Sequence, residues 1–329
     1  MMKSIEKSLK RILKRKVKVT LGLIVTFMIT GNAAFAEINE YPKPNKDYND
    51  FLVYNGTLDL YDKDYVFNFN GGLQLTQNQN PSYYEGILLG HDTGDNFIVD
   101  QEPGPNYKYD QVNAVFNVGK APNEKYDFSV TGTEMALHIA KKDSLTINGE
   151  GTNLHFKVTE RDQLGHIGTI EVETYGKLNI TANSMLIEGQ KDSNIRIIDD
   201  AKVNINLTDN FISQKGESMI QAQNYLDNSD TIFNLTAKNI IGSSKTEGFI
   251  DQSIGIYSVN DKKSNVTMNL TAKENIDVSG YDYGVYSYGV ADINLKAQNI
   301  NIAAAEYGIY AHSNSNININ GCAKKTFKF

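Results

Sequence analysis

Tyr257, Tyr286 and Tyr310 stand in one recurring phrase: Gly255-Ile256-Tyr257-Ser258, Gly284-Val285-Tyr286-Ser287 and Gly308-Ile309-Tyr310-Ala311. Each tyrosine follows an Ile or Val, so a two-residue period turns it outward where the aliphatic side chain turns inward. Three outward rings at equivalent positions form a candidate binding strip for a sugar or a protein. The same three rings could instead stack as a ladder with no ligand. Tyr281, Tyr283, Tyr288 and Tyr307 flank the strip, and Tyr283 and Tyr307 share the inward phase.

Other residue types that do chemistry lack the spacing to do it. His91, His138, His155, His166 and His312 include no His-Glu-x-x-His pair, although His155 and His166 could approach each other across a turn. No Gly-x-Ser-x-Gly elbow, phosphate-binding loop or dinucleotide fingerprint occurs. Asp199-Asp200 reads as a turn that would need a distant carboxylate to act as an acid–base pair. Asp92-Thr93-Gly94-Asp95 and Asp227-Asn228-Ser229-Asp230 match neither an EF-hand loop nor a glycine-rich calcium roll. The reading expects no catalysis, no metal and no cofactor.

The strip needs a scaffold that repeats, and the last third of the chain supplies one. Asn-rich alternating phrases recur at Val203–Thr208, Phe233–Ala237, Val266–Ala272, Ile293–Ala297 and Ile317–Asn320. Aligned on leucine, Leu207, Leu235, Leu270 and Leu295 lie 28, 35 and 25 residues apart and are expected to stack as one buried column. Each phrase is followed by an Asn–apolar pair, at Asn210-Phe211, Asn239-Ile240, Asn275-Ile276 and Asn299-Ile300. Together with the Gly-x-Tyr phrase this gives three short strands per repeat, each too small to bury its own apolar face. Stacking the repeats buries those faces together, which is the solution a solenoid reaches. The residues are Asn, Thr, Ile, Val and Tyr at period two, which rules against helical repeats. A propeller blade would need a fourth strand.

The expected fold is therefore all-β, a right-handed parallel β-helix with an irregular N-terminal cap region. At roughly 27 residues per coil there is room for about ten coils, spaced about 4.8 Å apart. The Asn-x-Thr tripeptides at Asn179, Asn206, Asn234, Asn265 and Asn269 belong to the repeat, and their outward side chains are expected to stack as polar ladders.

The boundaries read as four segments. Residues 1–36 carry eight positive charges against Glu6, an apolar run Leu21–Thr30, and Ala34-Phe35-Ala36 with small residues at −3 and −1. This is a secretory signal peptide with cleavage expected after Ala36. Residues 37–140 read as leader, cap and irregular first coils, 141–320 as regular coils, and 321–329 as an off-pattern tail.

Without the signal segment the 32 basic and 39 acidic residues become 24 and 38, a net charge of −14. Only Arg161 and Arg196 remain as arginines, which argues against nucleic acid as a partner. The single Cys322 can form no internal disulfide.

The leader Lys7-Ser8-Leu9-Lys10-Arg11-Ile12-Leu13-Lys14-Arg15-Lys16-Val17, its apolar run and Ala34-Phe35-Ala36 resemble the extended signal segments of Gram-negative autotransporters. They are similar above all to those with an autotransporter-associated N-terminal domain. The repeats resemble the β-helical passengers of the same family. The resemblance implies passage through the export machinery to the periplasm, transit of an outer-membrane barrel, and display at the cell surface as an adhesin or virulence factor. A host or bacterial surface protein or glycan would be the partner. No translocator strands follow Asn320, so the chain is expected to be a passenger truncated before its barrel, periplasmic unless a barrel is supplied. The rival reading is a β-helical polysaccharide lyase or hydrolase, against which the scarcity of arginine counts.

Overall fold

A computed structural model of the chain describes residues 37–41, 53–54, 57–60, 64–69, 73–76, 85–90, 111–119, 126–159, 168–190, 193–244, 253–260 and 264–324. The chain divides into Met1–Glu37 and Ile38–Phe329, and the second unit carries nearly all described structure. The signal-cleavage residues Ala34 and Ala36, like His91, Arg161, His166 and the Asp92–Asp95 turn, lie outside the described residues.

Alternating apolar and polar residues with abundant Val, Ile, Phe and Asn make strands here, and no helix occurs among the described residues. β1 (Glu37–Tyr41), β2 (Val53–Tyr54) and β3 (Thr57–Leu60) come first, with β2 and β3 forming the antiparallel hairpin. Every coil then repeats one path. The first holds β4 (Tyr65–Phe69), β5 (Leu73–Thr76) and β6 (Glu85–Leu89), and the second β7 (Asn113–Val118), β8 (Tyr126–Gly132) and β9 (Met135–Ile139). The third holds β10 (Ser144–Val158) and β11 (Gly168–Val172), and the fourth β12 (Lys177–Glu188) and β13 (Ser193–Ile198). The fifth holds β14 (Lys202–Leu207), β15 (Asn210–Gln214) and β16 (Ser218–Asn224), and the sixth β17 (Asp230–Ser243) and β18 (Ile254–Asn260). In the seventh and eighth, β19 (Asn265–Tyr288) and β20 (Ala291–His312) each run through all three sides, and β21 (Ser315–Lys324) begins a ninth.

Coil pairs with coil in parallel, giving three ladders and a parallel β-helix. The first ladder runs through β4, β7 and the starts of β10 and β12 to β14 and the starts of β17, β19, β20 and β21. The third runs through β3, β6, β9, β11, β13, β16 and β18 into the ends of β19 and β20. The second, starting at β5 and β8, lies between them in sequence. Spacing between residues paired in parallel ranges from 55 for Leu73 with Phe128 to 23 for Asn299 with Cys322. The early coils carry long connections between strands, yet those strands already stack in the three ladders.

The core is the stack of inward side chains. Phenylalanines dominate its early part, where Phe67, Phe69, Phe116, Phe128 and Phe156 are all buried and interlock edge-on or tilted. Ile and Leu take over later.

The expected leucine column is corrected at one position. Leu235 pairs with Leu270 and Leu270 with Leu295, but Leu235 lies over Ile205, while Leu207 pairs with Ala182 in the neighbouring column. The cause is the asparagine ladder. Asn204 donates to Asn179, Asn234 to Asn204, Asn269 to Asn234, Asn294 to Asn269 and Asn318 to Asn294, through amide bonds of 2.8–3.0 Å. These bonds align asparagine with asparagine, which puts the coil step from β14 to β17 at 30 residues where the leucine alignment implies 28. A second ladder joins Asn210, Asn239, Asn275 and Asn299, and in β21 Cys322 takes the asparagine's place beside Asn299. Residues 322–324 thus still pair, although they leave the sequence pattern.

Candidate functional site

One outward position of the third ladder carries most of the chain's unusual side chains. Register places His138 on Glu171, Glu171 on Arg196, Arg196 on Gln221, Gln221 on Tyr257, Tyr257 on Tyr286 and Tyr286 on Tyr310. The column changes from charged to aromatic half-way along.

The aromatic half holds the three strip residues, and the structure brings all of them together. The Tyr257 and Tyr286 rings meet edge-on at 5.5 Å, and Tyr286 and Tyr310 stack at 4.9 Å. Beside them Tyr283 stacks on Tyr307 at 5.4 Å and meets Tyr286 edge-on at 5.6 Å. Of the pair sharing the inward phase, Tyr283 is buried and Tyr307 is 51% exposed. Tyr288 stacks on His312 one alternation further along. Tyr281 is buried in the core, out of the strip.

Glycine has a steric reason at two of the three recurring phrases, Gly255 and Gly284, but not at Gly308. A Cβ at Gly255 would lie 2.4 Å from Val278 Cγ1 and 2.7 Å from the Gly284 carbonyl oxygen, and one at Gly284 would lie 2.2 Å from Ile302 Cγ2. The third strand therefore approaches the second closely at the corner, and the next two residues deliver Ile or Val inward and Tyr outward.

Burial, with Tyr225 and Tyr286 nearby, pushes the Tyr257 phenol up to about 12, and burial also raises Tyr286. Tyr257 and Tyr286 are thus neutral at ordinary pH. Across 253–260, 280–290 and 303–315 the only acidic residues are Asp282 and Glu306, and neither Lys nor Arg occurs. The surface offers aromatic edges and neutral hydroxyls, which suit hydrogen bonding and apolar contact.

The charged half was not legible in the sequence. Arg196 Nη1 donates to Glu171 Oε1 at 3.0 Å, Arg196 Nη2 donates to Gln223 Oε1 at 3.0 Å, and the Gly168 N–H donates to Glu171 Oε2. His138 Nε2 and Glu173 Oε1 lie 3.1 Å apart. Burial disfavours the His138 cation, but the bond to Glu173 and the charges of Glu173, Glu171 and Glu85 outweigh it and raise its pKa to about 9. Burial likewise opposes the Glu173 carboxylate, yet His138, Lys141 and Arg196 together hold its pKa below the usual range. Cations and carboxylates pair with one another, which is the pattern of an internal salt-bridge network, while His138 Nδ1 and Arg196 Nε are buried with no hydrogen-bond partner. Partners 25–35 residues apart with irregular spacing leave no local signature; the only hint is that Arg196, one of two arginines after residue 36, falls within an alternating strand.

His155 pairs with Glu188 at 3.0 Å, and Lys215 reaches the other Glu188 oxygen at 3.3 Å. Asp199 and Asp200 form a turn with positive φ at both residues, and Asp199 accepts the Tyr225 N–H at 2.7 Å. Ser229 of the Asp227–Asp230 turn donates to Asn224 Oδ1. Among the described residues no group of three or more His, Cys, Asp or Glu side chains is arranged to hold a metal ion.

No family model, no curated protein and no solved structure matches this chain.

Proposed function

We propose that this chain is the exported, non-catalytic passenger of an autotransporter-like surface protein and that it adheres through the third-ladder tyrosines. The observation that carries this reading is the contiguous tyrosine cluster on coils six to eight. Five tyrosines, 257, 286, 288, 307 and 310, with the buried Tyr283 packed against Tyr286 and Tyr307, crowd an outer face that has no arginine or lysine among its described residues. Tyrosine supplies large, rigid contact area at little conformational cost, and with the alternating Ser and Gly it makes an adaptable binding surface. The partner would be a host or bacterial surface protein or glycan. The basic leader and Ala34-Phe35-Ala36 support export.

The test has two parts. The full chain is expressed in a Gram-negative host, and the N-terminus of the exported product is sequenced; a start at Glu37 is expected, and retention of residues 1–36 in an inner-membrane fraction contradicts export. The mature chain is then tested for adhesion to cultured cells and on a glycan array, where saturable binding is expected.

A hydrolase or lyase is the second reading, favoured by the meeting of Arg196, Glu171, Glu173 and His138 on one ladder. Turnover of any member of a polysaccharide panel, with or without calcium, that is abolished by Glu173→Gln would establish it instead.

A further inference from the structure

Gly90 follows the end of β6, and Val112 precedes the start of β7. Both points meet one carboxylate. The Val112 N–H donates to Asp143 Oδ1 at 2.7 Å, and a Cβ at Gly90 would lie 1.8 Å from Asp143 Oδ2. Asp143 belongs to the turn before β10, one coil further on, and its own backbone is locked in place. The Ser144 N–H donates to the Val112 carbonyl and the Lys177 N–H to the Asp143 carbonyl, both at 2.9 Å. The next residue along, Asn113, is held from the opposite side, its N–H and Nδ2 both donating to Asp64 Oδ1 at 2.9 Å.

Asp143 is 3% exposed, and among the described residues no lysine or arginine forms an ion pair with it. Among the described residues the charged groups around it are His138 on β9, Glu173 after β11, Lys141 and Lys142 on its own turn, Lys177 on β12, and Asp64 before β4. Burial opposes its ionisation most strongly and the Glu173 charge adds to this, whereas the Val112 N–H bond and the His138 charge favour it. One backbone N–H is little compensation for a buried negative charge.

We propose that Asp143 is a pH-responsive latch, which holds the chain at Val112 firmly when its carboxyl is protonated and loosens it when the carboxyl is ionised. A protonated carboxyl keeps a carbonyl oxygen for the Val112 N–H and adds a donor of its own. Opening would expose the group to water, where it ionises at its ordinary value near 3.8, whereas burial in the closed state moves it to about 7. The closed state therefore binds the proton more tightly. Closure weakens as pH rises between those values, by up to about tenfold per pH unit.

The experiment is amide hydrogen exchange at Val112 and Asn113 in the mature chain from pH 5 to pH 8, comparing the parent with Asp143→Asn at each pH. The ratio of protection, variant to parent, is expected to rise at least tenfold across that range. A ratio that stays flat overturns the proposal, as does a pH response that survives in Asp143→Asn but disappears in Asp64→Asn. Should Asp143→Asn fail to fold, NMR titration of the Asp143 carboxyl in the parent decides. A midpoint near 7 supports the latch, and one in the ordinary aspartate range overturns it.

Discussion

Tyr286 and Tyr310 lie face to face, their ring centroids 4.9 Å apart and their planes 13° from parallel. Stacked rings cover one another's faces, so what this part of the strip turns to a partner is ring edge and hydroxyl. A sugar could not lie flat on Tyr286, because the face it would use is occupied by Tyr310. A partner on the strip, as proposed, would meet phenolic groups and apolar edges, with Tyr307 adding the most exposed ring.

The core column gives the first prediction. Leu270 is fully buried between Leu235 and Leu295. Leu270→Asp removes a side chain whose burial contributes about 1.5–3 kcal/mol and leaves an unpaired charge between coils. A loss of about 4 kcal/mol or more is expected in denaturant unfolding, against less than about 0.5 kcal/mol for the exposed Asn206→Asp. Equal stability of the two variants would refute the stacking.

The asparagine ladder predicts an asymmetry between neighbours. Asn234 donates to Asn204 and accepts from Asn269, so Asn234→Ala breaks two amide bonds and should cost about 1–2 kcal/mol at this half-buried face. Asn206 lies in the preceding coil, two residues after Asn204, and is exposed, so its alanine variant should unfold with the parent. Equal losses from the two alanine variants would mean that the register follows the leucines.

Arg196 should be intolerant of removal. Arg196→Met leaves Glu171 in a site where burial already pushes its carboxyl up, and breaking such a pair typically costs about 3–5 kcal/mol. Adding Glu171→Gln should restore much of the loss. Melting curves of the single and double variants check this; a double variant less stable than Arg196→Met contradicts the pairing.

The His138–Glu173 pair predicts a pH window. His138 is raised to about 9 in the folded chain from an ordinary 6.5, so its stabilising effect is complete below 6.5 and is lost as pH rises through 9. The stability difference between the parent and His138→Gln should therefore shrink from pH 6 to pH 10. Glu173 acts in the other sense: its lowered pKa gives stability present above its ordinary range and lost in acid. Chemical denaturation at several pH values is the measurement, and a difference that grows toward pH 10 would contradict the assignment.

Much of the fold was legible because each strand type repeats a phrase. The Asn–apolar pairs at 210, 239, 275 and 299 and the Gly-x-Tyr phrases fall on the second and third ladders at the expected positions. Leu207 misled because a buried column accepts Ile, Leu or Ala alike. The amide ladder accepts only a side chain that both donates and accepts, and so it sets the register. The tyrosine column could be read from its glycines. The His138–Glu171–Arg196 column could not, since its members share nothing but their place on the third ladder.

The most direct test of the account is binding by the mature chain with Tyr257, Tyr286 and Tyr310 all changed to Phe. Phenylalanine keeps the stacked rings, so the melting temperature should stay within about 2 °C of the parent. It removes the three hydroxyls that the strip turns outward, and adhesion to the same cells or glycans should fall at least tenfold. Full adhesion at an unchanged melting temperature would contradict the account and place the binding surface elsewhere on the coils.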